Sequence, residues 1–396
     1  MKLLCIGRSL GRSGTKLAGG GILRVQSTLL DRLLHSGFEV SLFYLNRVEH
    51  ESPSPCGLVP EFGAPTEKRL DLYMPKVFKR LFALAKGCDV VFGMQDGRPN
   101  ASAIVVGRMA RRPVVGWIHN LPGRTAQDFP GGYPWITRHL YPRANRLVAV
   151  SKGIAEDLAK WSPGGMHNVV VLPNPVNVEE VGRLSESPLS DWAQHIFARR
   201  TLVGMGWLNR RKGFDLLLRS FATVVQGGHD VNLLLLGEGE ERDALQTQAA
   251  KLGLHGRVFM PGYQPNPYPF LSRAEAFVLS SRHEGLPTVI LEAMSLGVPV
   301  VASDCPFGPA EILDGGQCGL LVPSEDPHMM ADAISNLLSS EDLRLRLRHR
   351  GLERAMQYDT STVTEKFEAL FLELHSSGGR KKNRTDKSIS FARTLD

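Results

Sequence analysis

The sequence predicts an α/β fold of two facing, doubly wound parallel sheets, one in each half of the chain, and three observations support it. Two short apolar runs, MKLLCIG at residues 1–7 and TLVGMG at 201–206, each lead through a glycine-containing turn into a helical pattern and on to another apolar run. Such a strand-loop-helix-strand unit implies a parallel sheet with right-handed crossovers. The later strands are apolar almost throughout, as expected where helices cover both faces of a sheet. With 396 residues and 42% hydrophobic content, the chain is also long enough for two cores.

In the first half, a glycine-rich loop (Gly11, Gly14, Gly19, Gly20, Gly21) precedes a helical pattern over 22–35, which stops at Gly37 before a strand at 39–44. CDVVFG, the helix-like ASAIVVGRMA, PVVGWIHN and NRLVAVS continue the alternation. The segment VLPNPVNVEEVGRLSESPLSD, rich in Pro, Asn and Ser, reads as an interdomain hinge. The second half repeats the alternation with the helical FDLLLRSFATVVQ, the strand VNLLLLGEG, a helix through Leu252, the strands RVFMPG and AFVLSS, a further helix, and VPVVAS. The expected domains are 1–178 and 179–360, with a last amphipathic helix over 361–375 packing back on the first domain. Residues 376–396, basic and poor in apolar side chains, read as a disordered tail. Ligands are expected between the domains, at the carboxyl ends of the strands.

The net charge of +7 is unevenly spread: residues 1–178 carry 23 Lys/Arg against 12 Asp/Glu, whereas residues 179–375 carry 18 against 26. A basic first half suggests an anionic partner. No finger, RNP-type sequence or recognition helix supports nucleic acid, which leaves an anionic membrane surface as the candidate. PKVFKRLFALAKG, residues 75–87, is the segment proposed for it, with Phe78, Leu81, Phe82 and Ala85 on one face and Lys76, Lys79, Arg80 and Lys86 flanking. The five cysteines are scattered and form no Cys-x-x-Cys pair, so neither a disulfide framework nor a zinc site is expected. The first residues meet charge and glycine too early for a signal peptide, and no apolar run spans a bilayer, which points to the cytosol.

The chemistry concentrates in HEGLPTVILEA, residues 283–293. Pro287 suits the first turn of a helix and Gly297 its end, so a helix is expected from about 287 to 296. Its tip exposes N–H groups at Leu286, Thr288 or Val289 and carries the positive end of the helix dipole, which favours a phosphate. Glu284 stands just before the tip and Glu292 roughly 7 Å down the flank. A nucleoside diphosphate sugar has matching parts in that order: sugar hydroxyls for Glu284, a diphosphate for the tip, and ribose hydroxyls for Glu292. A helix with an incidental glutamate has the same spacing. The context favours the ligand, because GWLNRRKG places Arg210, Arg211 and Lys212 in the turn after the first strand of the same domain, where cations can clamp a diphosphate.

The Lys212-Gly213 turn, LGEGEERDAL, the VFMPGY strand end and EGLPTVILEAMSLGVPVVASDCPFGPAEIL together resemble glycosyltransferase family 4, of the GT-B fold. Glu284 and Glu292 match that family's Glu-x7-Glu motif, PNPVN (173–177) its hinge signature, and VVGWIHN its first-domain histidine strand. The DCPFGPAEILDGGQCGLLVP segment is most similar to members that build bacterial surface polysaccharide or lipid-linked oligosaccharide. The resemblance implies retaining transfer of a hexose or N-acetylhexosamine from a nucleotide sugar, UDP-linked or as GDP-mannose, to a glycan or lipid-linked acceptor. It implies no cofactor and no divalent metal, consistent with the lack of any Asp-x-Asp. Glu284, His119, Lys212 and Arg211 are the catalytic candidates it implies, with His119 contacting the sugar near its reacting carbon through its backbone carbonyl. The donor-binding candidates are Gly20, Gly21, Gly206, Arg210, Gly237, Gly262, Gly285, Leu286, Pro287, Thr288, Val289 and Glu292. One departure is Trp207, where the family commonly carries arginine. It motivates a second reading, a sugar-nucleotide binder of low turnover; a third, a nucleotide-sugar epimerase, lacks a further carboxylate-histidine set.

Overall fold

The computed structural model describes residues 1–8, 21–46, 58–64, 70–123, 125, 132–161 and 166–379. Two parallel sheets organise it. The first has seven strands in the order β3-β2-β1-β4-β5-β6-β7: β1 (Lys2–Gly7), β2 (Glu39–Asn46), β3 (Glu61–Ala64), β4 (Val90–Gly93), β5 (Val114–Ile118), β6 (Arg146–Ala149) and β7 (Val169–Val171). The second has six in the order β10-β9-β8-β11-β12-β13: β8 (Arg200–Met205), β9 (Val231–Leu236), β10 (Val258–Gly262), β11 (Ala276–Leu279), β12 (Val300–Asp304) and β13 (Leu320–Pro323).

Each sheet reverses its winding once, between β1 and β4 in the first and between β8 and β11 in the second. The loops that leave strand carboxyl ends beside such a reversal diverge and open a crevice. In register, Ile6 of β1 pairs with Phe43 of β2 on one side and Gly93 of β4 on the other, so the turn after Gly93 lies beside the end of β1.

The hinge is more ordered than its composition suggests. Asn177 caps a helix, Val178–Ser185, by accepting the Glu180 N–H at 3.0 Å, with Glu179 and Glu180 in the first turn where the dipole favours them. Beside it the chain returns: the Val176 N–H donates to the Tyr358 carbonyl and the Thr360 N–H to that of Val176, both at 3.0 Å. From there the helix Thr360–Gly379 crosses to the first sheet. Phe371 meets Phe92 at 5.3 Å between ring centroids and Phe367 meets Trp117 at 5.1 Å. Each fully buried aromatic of this kind contributes roughly 1.5–3 kcal/mol, so the end of the chain completes the core of its beginning. The helix runs to Gly379, into the segment read as a tail, and residues 380–396 lie outside the described residues.

The helix that carries PKVFKRLFALAKG is α2 (Leu70–Gly87), which follows α1 (Gly21–His35) and precedes α3 (Arg98–Ala110). Val77, Leu81 and Ala85 are fully buried in the first domain's core, and Arg80 is pinned to Glu61 of β3 by two hydrogen bonds of 2.7 Å. Of the face assigned to a membrane, Leu81 and Ala85 therefore serve the core, whereas Phe78 and Phe82 are half-buried and the flanking lysines are exposed. Among the described residues no helix is long and apolar enough to cross a membrane. Cys5, Cys88, Cys305 and Cys318 are buried, while Cys56 lies outside the described residues.

Candidate active site

The end of β8 builds a cationic corner. Asn209 accepts the Lys212 N–H and closes a short 3-10 turn, Arg210–Lys212, that ends at Gly213. Gly213 is required there: its φ is +65°, and a Cβ would lie 2.0 Å from the Ser280 carbonyl oxygen at the end of β11. This close approach, with the Ser280 hydroxyl donating to the Lys212 carbonyl at 3.0 Å, holds the turn against the next strand end. The Lys212 ammonium then donates to Glu284 Oε1 at 2.7 Å, the Arg211 guanidinium to Glu284 Oε2 at 3.1 Å, and the Ser281 hydroxyl to Oε1 at 2.7 Å.

Glu284 is only 5% exposed. Burial by itself raises a carboxyl pKa, but the Lys212 and Arg211 charges and the hydrogen bonds from Lys212 and Ser281 outweigh it, holding the group at about 2. It is ionised at neutral pH. The sequence assigned Glu284 to sugar hydroxyls; in the structure both of its oxygens are taken by the cations expected to hold the diphosphate, because the turn and the 281–284 loop leave adjacent strand ends. Arg210 points to solvent instead, its backbone carbonyl receiving Arg282, which also grips Asp215 through two bonds of 2.8 Å. Trp207 turns away to donate to Glu240 at 2.7 Å.

The neighbouring helix spans Thr288–Ser295, with Pro287 as its extended N-cap rather than its first helical residue. Leu286 and Pro287 are buried, whereas Thr288 and Val289 are half-buried at the tip, where first-turn N–H groups have no intrahelical acceptor. Glu292, one turn on, is 4% exposed and lies 3.6 Å from Arg24 of α1; its Oε2 is buried without a hydrogen-bond partner. Burial pushes its carboxyl up, with Arg24 opposing.

The first domain supplies the facing wall. His119 follows β5, packs against Trp117 at 4.4 Å between centroids with the ring planes tilted by 45°, and places Nε2 3.1 Å from the Met94 carbonyl. That contact requires a proton on Nε2, and burial holds the imidazole down at about 4, so the ring is neutral. Its backbone carbonyl faces the second domain at Gly285, where a Cβ would lie only 2.2 Å from the oxygen. A side chain at 285 would therefore wedge the walls apart. Asp96, in the loop after β4, was not picked out from the sequence. Its carboxylate accepts the N–H groups of His119 (3.0 Å) and Asn120 (3.2 Å) and fixes that turn. Burial raises its pKa to about 6 against those bonds. Its position at a strand end beside the winding reversal was the available signal.

The structure thus brings Arg211, Lys212, Glu284, Gly285 and His119 to one seam, with the tip at 286–289 and Glu292 alongside. Gly206 lies under the Lys212 stem, its would-be Cβ 2.9 Å from Lys212 Cε. Gly237, just after β9, donates its N–H at 3.1 Å to the carbonyl of Gly262, the last residue of β10. Gly21 opens α1 in open surroundings, and Gly20 lies outside the described residues. Arg24, Tyr268 and Ser281 are contributors the sequence reading did not name.

Comparison with known proteins agrees with this geometry. Residues 19–180 match Glycosyltransferase Family 4, and residues 196–354 match Glycosyl transferases group 1. An uncharacterized glycosyltransferase of Methanocaldococcus jannaschii is 32% identical over 288 residues, 64% of this chain and 70% of that protein. The N-acetylgalactosamine-N,N'-diacetylbacillosaminyl-diphospho-undecaprenol 4-alpha-N-acetylgalactosaminyltransferase of Campylobacter jejuni is 26% identical over 360 residues, 87% of this chain and 93% of that one. Among solved structures, Anabaena HepE in complex with UDP superposes with a TM-score of 0.78 at 19% identity, over 94% of this chain and 100% of that chain, which establishes the shared GT-B architecture. Two parallel-sheet domains, a seam lined by both glutamates of the Glu-x7-Glu motif, and matches over both halves make this chain a member of glycosyltransferase family 4.

Proposed function

We propose that the chain transfers a hexose or N-acetylhexosamine, with retention of configuration, from a nucleotide diphosphate sugar to a glycan or lipid-linked acceptor in cell-surface polysaccharide synthesis. A UDP-sugar is the preferred donor over GDP-mannose. The observation that carries this reading is the convergence of Arg211 and Lys212 with the 288–295 helix tip across from the His119 carbonyl. As the bond from the sugar's reacting carbon to the diphosphate breaks, its electron pair moves to the departing phosphate oxygen, the acceptor hydroxyl oxygen bonds to that carbon on the same face, and the hydroxyl proton passes to the departing phosphate. Fixed cations and helix N–H groups stabilise that charge more than they stabilise the ground state. No metal is then required. In the free site Glu284 balances both cations and keeps Lys212 aimed; the diphosphate shares them. Positive charge at the sugar's reacting carbon is met by the His119 carbonyl.

The UDP complex of the Anabaena neighbour supports the choice of base, and the undecaprenol-linked substrate named for the Campylobacter relative supports a lipid-carried acceptor. Such an acceptor would place the basic first domain against an anionic leaflet on the cytoplasmic side. A panel of nucleotide sugars in a thermal-shift assay, followed by turnover with the best binder, tests the proposal: UDP-sugars should raise the midpoint most and be consumed with nucleotide release. Binding without release would leave the low-turnover reading, which the Trp207–Glu240 contact favours. Stabilisation by none of the panel would remove the donor reading.

A further inference from the structure

The contact between Arg24 and Glu292 joins residues from opposite domains. Arg24 stands in the first turn of α1, directly after the glycine run, and its Nη1 donates to the Tyr268 hydroxyl of the second domain at 2.7 Å. Its guanidinium carbon lies 5.6 Å from the centre of the Tyr268 ring. The same Nη1 is 3.6 Å from Glu292 Oε1, while Glu292 Oε2 faces burial with nothing donating to it. A cavity opens at this place, lined by Arg24, Asn177, Tyr268, Thr288 and Glu292. A buried carboxylate oxygen left without a donor is costly, and a vicinal diol supplies the missing hydrogen bond.

We propose that Arg24 is a positioning residue for the donor's ribose: anchored on Tyr268, it holds Glu292 by Oε1 and leaves Oε2 to accept from a ribose hydroxyl. The inference rests on the donor reading above. Because Arg24 reaches Glu292 only when the two domains are together, donor affinity becomes a property of the closed molecule. Neither domain alone presents the complete ribose site.

The test compares nucleotides with and without the diol. Binding of UDP and GDP, each beside its 2′,3′-dideoxy counterpart, is measured by calorimetry for the wild type, Arg24→Gln, Arg24→Lys and Glu292→Gln. Arg24→Gln should weaken the diol nucleotide about tenfold, the loss of one charge-assisted contact, and should leave the dideoxy nucleotide unchanged. Arg24→Lys should recover most of the loss. In turnover, the KM for the nucleotide sugar should rise while kcat stays within about twofold. An equal penalty on both nucleotides would overturn the proposal, and so would tighter binding by Arg24→Gln, which would make Arg24 a competitor for the ribose position. Wild-type protein that binds neither UDP nor GDP would instead overturn the donor reading itself. Weakening in Glu292→Gln but not in Arg24→Gln would keep that reading and remove Arg24.

Discussion

Glu284 and Glu292 are both buried and eight residues apart, yet their surroundings give them opposite characters. Glu284 has two cations and a hydroxyl from its own domain, and its carboxyl sits at about 2. Glu292 has one guanidinium at 3.6 Å from the other domain, an unpartnered oxygen, and a carboxyl pushed up by burial. Equal burial therefore does not make equal acids. What decides is how many donors the fold supplies before a ligand arrives. Glu284 is finished by the fold, whereas Glu292 is left for a partner.

The largest effect should come from breaking the finished one. Glu284→Gln leaves Lys212, itself buried, without its anion; transfer should fall about 10²–10³-fold and stability by about 3 kcal/mol. Turnover and urea unfolding measure the two, and a variant with wild-type stability would show that the corner is not a buried pair.

A smaller effect is expected at His119, whose carbonyl faces Gly285 and whose imidazole is held neutral by burial, at about 4 from an ordinary value of 6.5. As pH falls from 6.5 toward 4, the unfolded chain takes up a proton that the folded one refuses, so folding stability declines by up to about 3 kcal/mol. Thermal unfolding across that range, compared with His119→Asn, isolates this contribution. An unchanged slope in the variant would mean that His119 does not resist protonation in the folded state.

The smallest effect on stability is expected at Glu292. Glu292→Gln removes a poorly paired buried charge, so unfolding should change by less than about 1 kcal/mol in either direction, while UDP affinity drops about tenfold. A stability loss as large as that of Glu284→Gln would erase the contrast between the sites.

What the sequence by itself determined is local. The apolar strands, the helical periods, the helix that starts at Pro287 and its end before Gly297 are decided by neighbours within a turn or a strand, and their residue types report them directly. The Glu-x7-Glu spacing and the Arg211-Lys212-Gly213 turn were legible for the same reason. The helix inside the hinge carried its own cap signal but was hidden among Pro and Ser. Only the tertiary structure decided who meets whom. Lys212 and Glu284 are 72 residues apart and Arg24 and Tyr268 are 244 apart, and no local pattern encodes such pairings. It also decided that Leu81 and Ala85 of α2 belong to the core and that Asp96 fixes the His119 turn. Charge state followed from those pairings, because desolvation and donor count are set by what packs around a group and not by the group's own place in the chain.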